Sequence, residues 1–157
     1  MKNIFAAFGV LLIFVLTPYE IRAERPTMLA NSIQGVVWED MNYNGLRDSG
    51  EPGIAGVLAE FFEDFNQDGL PDGAAVATKI TTQTGGYIFN TGIILQYYVI
   101  RITMPSGMLP TLHVQGVGNS DTDPLTGFTG TLQVPEFTVN GVADAGFYRT
   151  GGLGNYV

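Results

Sequence analysis

The sequence is that of an all-β sandwich. Short β-type runs recur from Ile33 onward between clusters of Gly, Pro, Asn and Asp, and no stretch repeats its apolar residues at helical spacing. Composition points the same way, because 21 of 157 residues are Gly, aromatics make up 11% and charged residues only 14%. With 45% apolar residues the chain is too hydrophobic for disorder and long enough for one domain with a real core. No 20–50-residue repeat divides it.

The expected strands are 33–38, 56–63, 75–82, 87–90, 96–104, 112–115, 128–134 and 143–148. In the fifth, alternation puts Tyr98, Ile100 and Ile102 on the core face and Tyr97, Val99, Arg101 and Thr103 on the other. Trp38, at the end of the first run, is expected to cap one end of the core.

Ahead of the strands, residues 1–23 read as a secretory signal: Lys2, an uncharged apolar run over 4–16 and a polar segment ending at Ala23. The run is short for a bilayer-spanning helix, which needs about 20 residues. Cleavage is expected after Ala23, with Ala30 a second candidate, and leaves no membrane segment. Residues 24–32 then form a short arm, 33–149 the sandwich and 150–157 a Gly-rich tail. Loss of Lys2 and Arg22 against Glu20 leaves the exported part more acidic than the full chain, whose net charge is already -8. That balance excludes nucleic acid as a partner. With no Cys there is no disulfide, thiolate metal site or thiol nucleophile.

The acids are not scattered. Residues 40–51, Asp-Met-Asn-Tyr-Asn-Gly-Leu-Arg-Asp-Ser-Gly-Glu, satisfy the calcium-loop formula D-x-[DN]-x-[DN]-G-x5-E at every specified position. Ca²⁺ takes six to eight hard oxygens, and alternate residues of a tight loop aim theirs inward. Asp40, Asn42 and Asn44 hold positions 1, 3 and 5, Gly45 allows the bend, the Leu46 carbonyl supplies position 7, Asp48 sits at 9 and Glu51 closes the loop at 12. A purely structural Asn/Asp/Gly turn is the competing account.

A second loop repeats the pattern with Asp64, Asn66, Asp68, Gly69 and Asp72, but Ala75 stands where the closing acid belongs. It is a possible second calcium site if another acid completes it, and otherwise a hairpin connection. A third cluster, residues 119–124, is too short to bind alone but could lend Asp121 or Asp123 to the first loop by folding beside it. Together these loops hold Asp40, Asp48, Glu51, Asp64, Asp68, Asp72, Asp121 and Asp123, eight of the 15 acids.

Nothing in the sequence assembles an active site. His113 sits in a β-type run facing solvent, and Ser32, Ser49, Ser106 and Ser120 lie in no G-x-S-x-G elbow.

Four stretches resemble the SdrD B-like domain, the Cna-B-related immunoglobulin-like module of bacterial cell-surface proteins: 35–57, including the loop of Asp40 and Glu51; 68–73; 85–89; and 119–127 with 143–148. The resemblance implies an immunoglobulin-like antiparallel sandwich of seven to nine strands stiffened by Ca²⁺, with no enzymatic activity. It also implies that Asp40, Asn42, Asn44, Asp48 and Glu51 are ligands with Asp121 and Asp123 as neighbours. Related domains often carry a Lys–Asn isopeptide bond; here Lys79 is the only lysine after the signal and falls mid-domain, so none is expected. The chain departs from the usual tandem array in showing one copy and no wall-anchoring motif.

The expected role is a secreted, calcium-stabilised subunit of a bacterial extracellular filament or surface layer, self-associating into a homopolymer through its terminal arms. The alternative is an adhesin-like module that uses Tyr43, Phe65 and Tyr97 to contact a glycan or a surface protein.

Overall fold

The computed structural model describes residues 31–91, 96–114, 118–134 and 141–150. The expected signal, the arm up to residue 30 and the tail beyond Thr150 lie outside the described residues.

Nine strands and no α-helix are found among the described residues: β1 (Ser32–Glu39), β2 (Leu58–Glu63), β3 (Ala77–Ile80), β4 (Gly86–Asn90), β5 (Tyr97–Ile102), β6 (Met108–Pro110), β7 (Leu132–Gln133), β8 (Gly141–Val142) and β9 (Ala145–Arg149). They form two sheets. One runs β4-β1-β9-β6 with β8 also beside β1; the other runs β3-β2-β5-β7.

The core lies between the sheets and follows the alternation of the strands. Ile33 and Val37 of β1, Phe61 of β2, Phe89 of β4 and Phe147 of β9 meet Tyr98, Ile100 and Ile102 of β5, as expected for that strand. Phe61 stacks on Phe89 at 4.9 Å and on Tyr98 at 4.5 Å, so one ring ties both sheets. The other face of the second sheet is not bare. Val99 is fully buried there, and Arg101 lies 5.8 Å over both Phe62 and Phe128 while pairing with Glu60.

Three expectations need correction. The strand expected at 112–115 is not there: β6 occupies Met108–Pro110, and residues 111–114 are irregular. Pro110 reads as a breaker, but at the end of an edge strand its missing N–H costs no ladder bond. Secondly, the sheets are not wholly antiparallel, because β1 runs parallel to both β8 and β9. The chain's last strands return beside its first in the same direction, leaving the other pairings antiparallel. Thirdly, Trp38 is fully buried but not in the core between the sheets. Val37 faces that core, so Trp38 points out of the sheet, against Gly146, and supports the loop that follows β1.

β8 and β9 keep one register along β1, Ile33 opposite Gly141 and Val37 opposite Ala145, with a break at Ala143 and Asp144. At the break the Asp144 carboxylate accepts the Val36 N–H at 2.8 Å in place of a backbone carbonyl. The Ala143 carbonyl turns over Gly35, where a Cβ would overlap it, and takes the Tyr87 hydroxyl.

Candidate metal centre

Asp40 follows β1 directly, and its N–H donates to the Phe147 carbonyl at 2.8 Å, adding one rung to the β1–β9 ladder. The chain then winds tightly, with Tyr43 at φ 65° and Gly45 at φ 76°. Asp40 is 1% exposed and is the hub of this winding. One of its oxygens accepts the N–H groups of Asn42 (3.2 Å) and Tyr43 (2.6 Å); the other accepts the Gly45 N–H (2.8 Å) and the Thr111 hydroxyl. Burial pushes the Asp40 carboxyl up, but the donated bonds from Thr111, Gly45, Tyr43 and Asn44 outweigh it and hold it below the ordinary carboxylate value.

The remaining ligand candidates lie on the exposed side of the loop. Asn42 and Asn44 both donate their amide N–H to the same Asp48 oxygen, at 2.7 and 2.8 Å, so positions 3, 5 and 9 meet at one point. Glu51 reaches back with both oxygens, accepting Met41 N–H and Asp48 N–H at 2.9 Å each. Leu46 donates its N–H to the Asn44 side-chain Oδ1 at 2.8 Å and bridges to Asn119. Among the described residues no three His, Asp or Glu side chains are arranged to hold a metal as they stand. The polar contacts explain why: Asp40 and Glu51 oxygens are occupied by N–H donors, and two amide dipoles present their positive ends to Asp48. Every candidate donor is a hard oxygen, the set Ca²⁺ takes. The loop fits the ion in chemistry, with Asn42, Asn44, Asp48 and Glu51 as the groups that would turn to it.

The second loop copies the first in backbone and in support. Gln67 (φ 61°) and Gly69 (φ 79°) match Tyr43 and Gly45 in place and in sign. Asp64, fully buried after β2, donates its N–H to the Tyr97 carbonyl at 3.0 Å; its carboxylate accepts Asp68 N–H, Gly69 N–H and the Thr131 hydroxyl, the last at 2.7 Å. The missing position 12 is made good from within. In the first loop Glu51 accepts the N–H of the second residue, Met41; in the second, Asp72 accepts the N–H of the second residue, Phe65, at 2.6 Å and that of Asn66 at 3.1 Å. Asp68 accepts Leu70 N–H at 2.9 Å and the Asn66 amide at 3.1 Å.

The third cluster does fold beside the first loop, through Arg47 N–H to Gly118 O (2.9 Å) and Ser120 N–H to Gly45 O (3.1 Å). Its acids are engaged elsewhere. Asp121 accepts the Asp144 N–H at 2.8 Å, and Asp123 caps its own turn by accepting from Leu125 and Thr126. Burial raises the Asp121 and Asp144 carboxyls, whereas the turn bonds, with Thr126 N–H foremost, lower Asp123.

Thr111, Thr131, Tyr87 and Asp144 are the polar residues that sequence reasoning missed. Each acts across a long sequence separation on a single hydroxyl or carboxylate, and no local spacing marks such a partner.

A sandwich of two sheets, without α-helix among the described residues and with oxygen-lined loops at strand ends, defines an immunoglobulin-like structural or binding module. More particularly, a profile of the SdrD B-like domain matches residues 31–147, and the chain belongs to that family. It is 35% identical over 124 residues to Serine-aspartate repeat-containing protein D of Staphylococcus aureus (strain Newman), a match covering 77% of this chain and 8% of that protein. It is 32% identical over 123 residues to Bone sialoprotein-binding protein of Staphylococcus aureus (strain MRSA252), covering 77% and 10%. The chain thus spans a tenth or less of these relatives' length. Among solved structures, the full-length RrgB pilus protein from Streptococcus pneumoniae aligns at a TM-score of 0.43 and 16% identity, over 76% of this chain and 25% of that one. The family is one of cell-surface and extracellular modules, not of enzymes.

Proposed function

We propose that the chain is a calcium-stabilised structural module of the cell surface, self-associating into a filament or layer through the segments that flank its sandwich. The observation that carries the calcium reading is the meeting of Asn42, Asn44 and Asp48 at one oxygen in a loop whose fourth group, Glu51, closes it from position 12. A cation there would neutralise acids that otherwise rely on N–H dipoles, and the second loop, closed by Asp72, offers the same donors. The assembly reading is supported by short sheet edges at β6 and β7, each with a single partner strand among the described residues, the kind of edge to which a neighbouring chain can add.

Chelation tests the first part. A ligand at 100 times its dissociation constant stabilises by about 2.7 kcal/mol per site, so EGTA lowers the melting temperature by roughly 10 °C. An unchanged melt, with metal-free protein verified by elemental analysis, refutes it. Electron microscopy of secreted material tests the second; strictly monomeric particles with intact ends refute assembly and leave the calcium reading standing. A second reading, adhesion to a glycan or surface protein, is favoured by Tyr43, which is 44% exposed at the fourth position of the loop and rests edge-on against Tyr148 at 5.0 Å. Glycan-array binding abolished by chelator would support it.

A further inference from the structure

Beside the first loop, outside the inter-sheet core, lies an open groove of about 450 Å³ lined by Tyr43, Pro110, Thr111, Leu112, Pro124 and Tyr148. None of the six carries a charge, although the chain as a whole has a net charge of -8. A second hollow of about 400 Å³ shares Pro110 and Pro124 with it, and the charged residues on that side are already engaged: Arg101 pairs with Glu60, and Asp123 accepts the N–H groups of Leu125 and Thr126 in its own turn. Leu112 is 62% exposed, and Leu125, in the wall of the second hollow, 94%, so the joined surface is an apolar patch and not an isolated side chain. Its size is that of a site for a small ligand or a short segment of chain.

The chemistry of the walls narrows the occupant. Tyr43 and Tyr148 meet edge to face at 5.0 Å, and neither phenol has a hydrogen-bond partner among the described residues. The groove therefore offers flat apolar surfaces and two O–H donors, with no cation or carboxylate to meet a charged group. The adjoining edge of β6 offers acceptors instead. Across the β6–β9 ladder Thr111 donates its N–H to the Gly146 carbonyl at 3.0 Å, and the alternation of that ladder turns the backbone groups of Met108 and Pro110 to the open side. Pro110 has no N–H, and the Met108 N–H donates to the Pro105 carbonyl at 3.2 Å, so a strand laid along this edge is held by carbonyls alone. A polyproline II segment suits the groove better. It has few N–H groups of its own, its solvated carbonyls can accept from the phenols, its rings lie flat on aromatic and proline surfaces, and its preformed shape costs little ordering on binding.

We propose that this groove binds an uncharged, proline-rich segment of another protein in the polyproline II conformation, its rings packed on Tyr43, Leu112 and Tyr148 and its carbonyls accepting from the two phenols. This goes beyond the structural role proposed above and depends neither on Ca²⁺ nor on self-association.

The test titrates an uncharged nine-residue peptide of three Pro-Pro-Leu repeats into the full exported chain, followed by methyl and aromatic NMR. A peptide of three Gly-Gly-Leu repeats is the flexible control, and maltohexaose stands for a neutral glycan. The expected result is saturable binding with a dissociation constant below about 1 mM, shifts confined to the Leu112 and Leu125 methyls and the Tyr43 and Tyr148 rings, and the same affinity in low and high salt. Leu112→Asp alters an exposed side chain outside the core and should weaken binding about tenfold or more. Tyr148→Phe keeps the ring, removes one donor and should weaken it several-fold. Near-UV circular dichroism of both variants should match the parent. Absence of shifts at millimolar peptide, equal binding of the glycine control, or unchanged affinity in Leu112→Asp overturns the proposal. Shifts of the same signals by maltohexaose and not by the proline peptide also overturn it, because the groove then takes a glycan. None of these outcomes alters the chelation melt or the particle images that test the proposed function.

Discussion

Asp40 and Glu51 both belong to the first loop, yet the structure gives them different work, and metal-free protein separates them. Asp40 is buried and accepts four bonds, three from backbone N–H groups and one from Thr111. Bonds to a charged acceptor contribute about 1.5–3 kcal/mol each, and a buried donor left alone costs about 1–3 kcal/mol. Since the four share one carboxylate they do not add, and Asp40→Ala is expected to destabilise by about 3–5 kcal/mol with no metal present. Glu51 accepts two bonds on the exposed side of the loop, so Glu51→Ala in EGTA is expected to cost about 1 kcal/mol or less. In saturating Ca²⁺ the order tightens, because Glu51→Ala then also loses the increment the ion supplies. The assay is urea unfolding of both variants and the parent chain, each in EGTA and in millimolar Ca²⁺. At roughly 3–4 °C per kcal/mol the metal-free Asp40→Ala protein melts about 9–20 °C below the parent. If the two variants are equally destabilised in EGTA, the division of the loop into a buried hub and an exposed ligand set is wrong.

The second loop yields a parallel expectation: Asp72→Ala lowers Ca²⁺ affinity there as Glu51→Ala does in the first, whereas Ala75→Glu adds little because Asp72 already closes the loop, and calorimetric titration of the variants decides. Burial raises the Tyr87 phenol well above 10, with Asp144 and Asp121 adding to the effect. A folded value above the unfolded one gives stability that is fully present below about pH 10 and lost as pH rises through the folded value. Tyr87→Phe should therefore flatten the alkaline limb of a pH–stability curve while costing about 1 kcal/mol at neutral pH for the bond to Ala143. Gly35→Ala places a methyl on the Ala143 carbonyl, and a loss above about 3 kcal/mol, or failure to fold, is expected on thermal denaturation.

The sequence made the sandwich legible because strand residues alternate: Tyr98, Ile100 and Ile102 were assigned to the core from spacing alone, and they lie there. The first loop was legible for a similar reason, since its ligand candidates fall at fixed local offsets. What escaped depends on contacts between distant segments. Leu112 and Val114 alternate like a strand, but Thr111 is held by Gly146 and Asp40, and Val114 bonds Ser120 at 3.3 Å, so the segment supports the first loop instead of extending a sheet. Trp38, at the end of the first run, is expected to cap one end of the core. Its burial depends on Gly146, where a Cβ would collide with both the indole and Thr111, and no property of residue 38 announces that. The gap at Ala75 looked like a defect because the formula names position 12, whereas the backbone only needs an acceptor for the second N–H and takes it from Asp72.

The two loops also share a logic that the fold makes explicit. In the first sheet Asp40, at the end of β1, bonds β9 through its N–H and fastens Thr111, just beyond edge strand β6, through its carboxylate. In the second sheet Asp64, at the end of β2, bonds the first residue of β5 and fastens Thr131, just before edge strand β7. Edge strands of three and two residues are too short to hold by their own ladders, so each is pinned by a buried carboxylate two strands away. Only the first pin lies on the ladder between the first and last described strands. The described chain enters at the start of β1 and leaves at the end of β9, and these strands run parallel, so tension between the two ends shears their ladder and loads its bonds together. Asp40 adds the last rung of that ladder. On the proposed calcium reading, a cation held by the residues around Asp40 would stiffen the end of that ladder, where shear would enter the sheet.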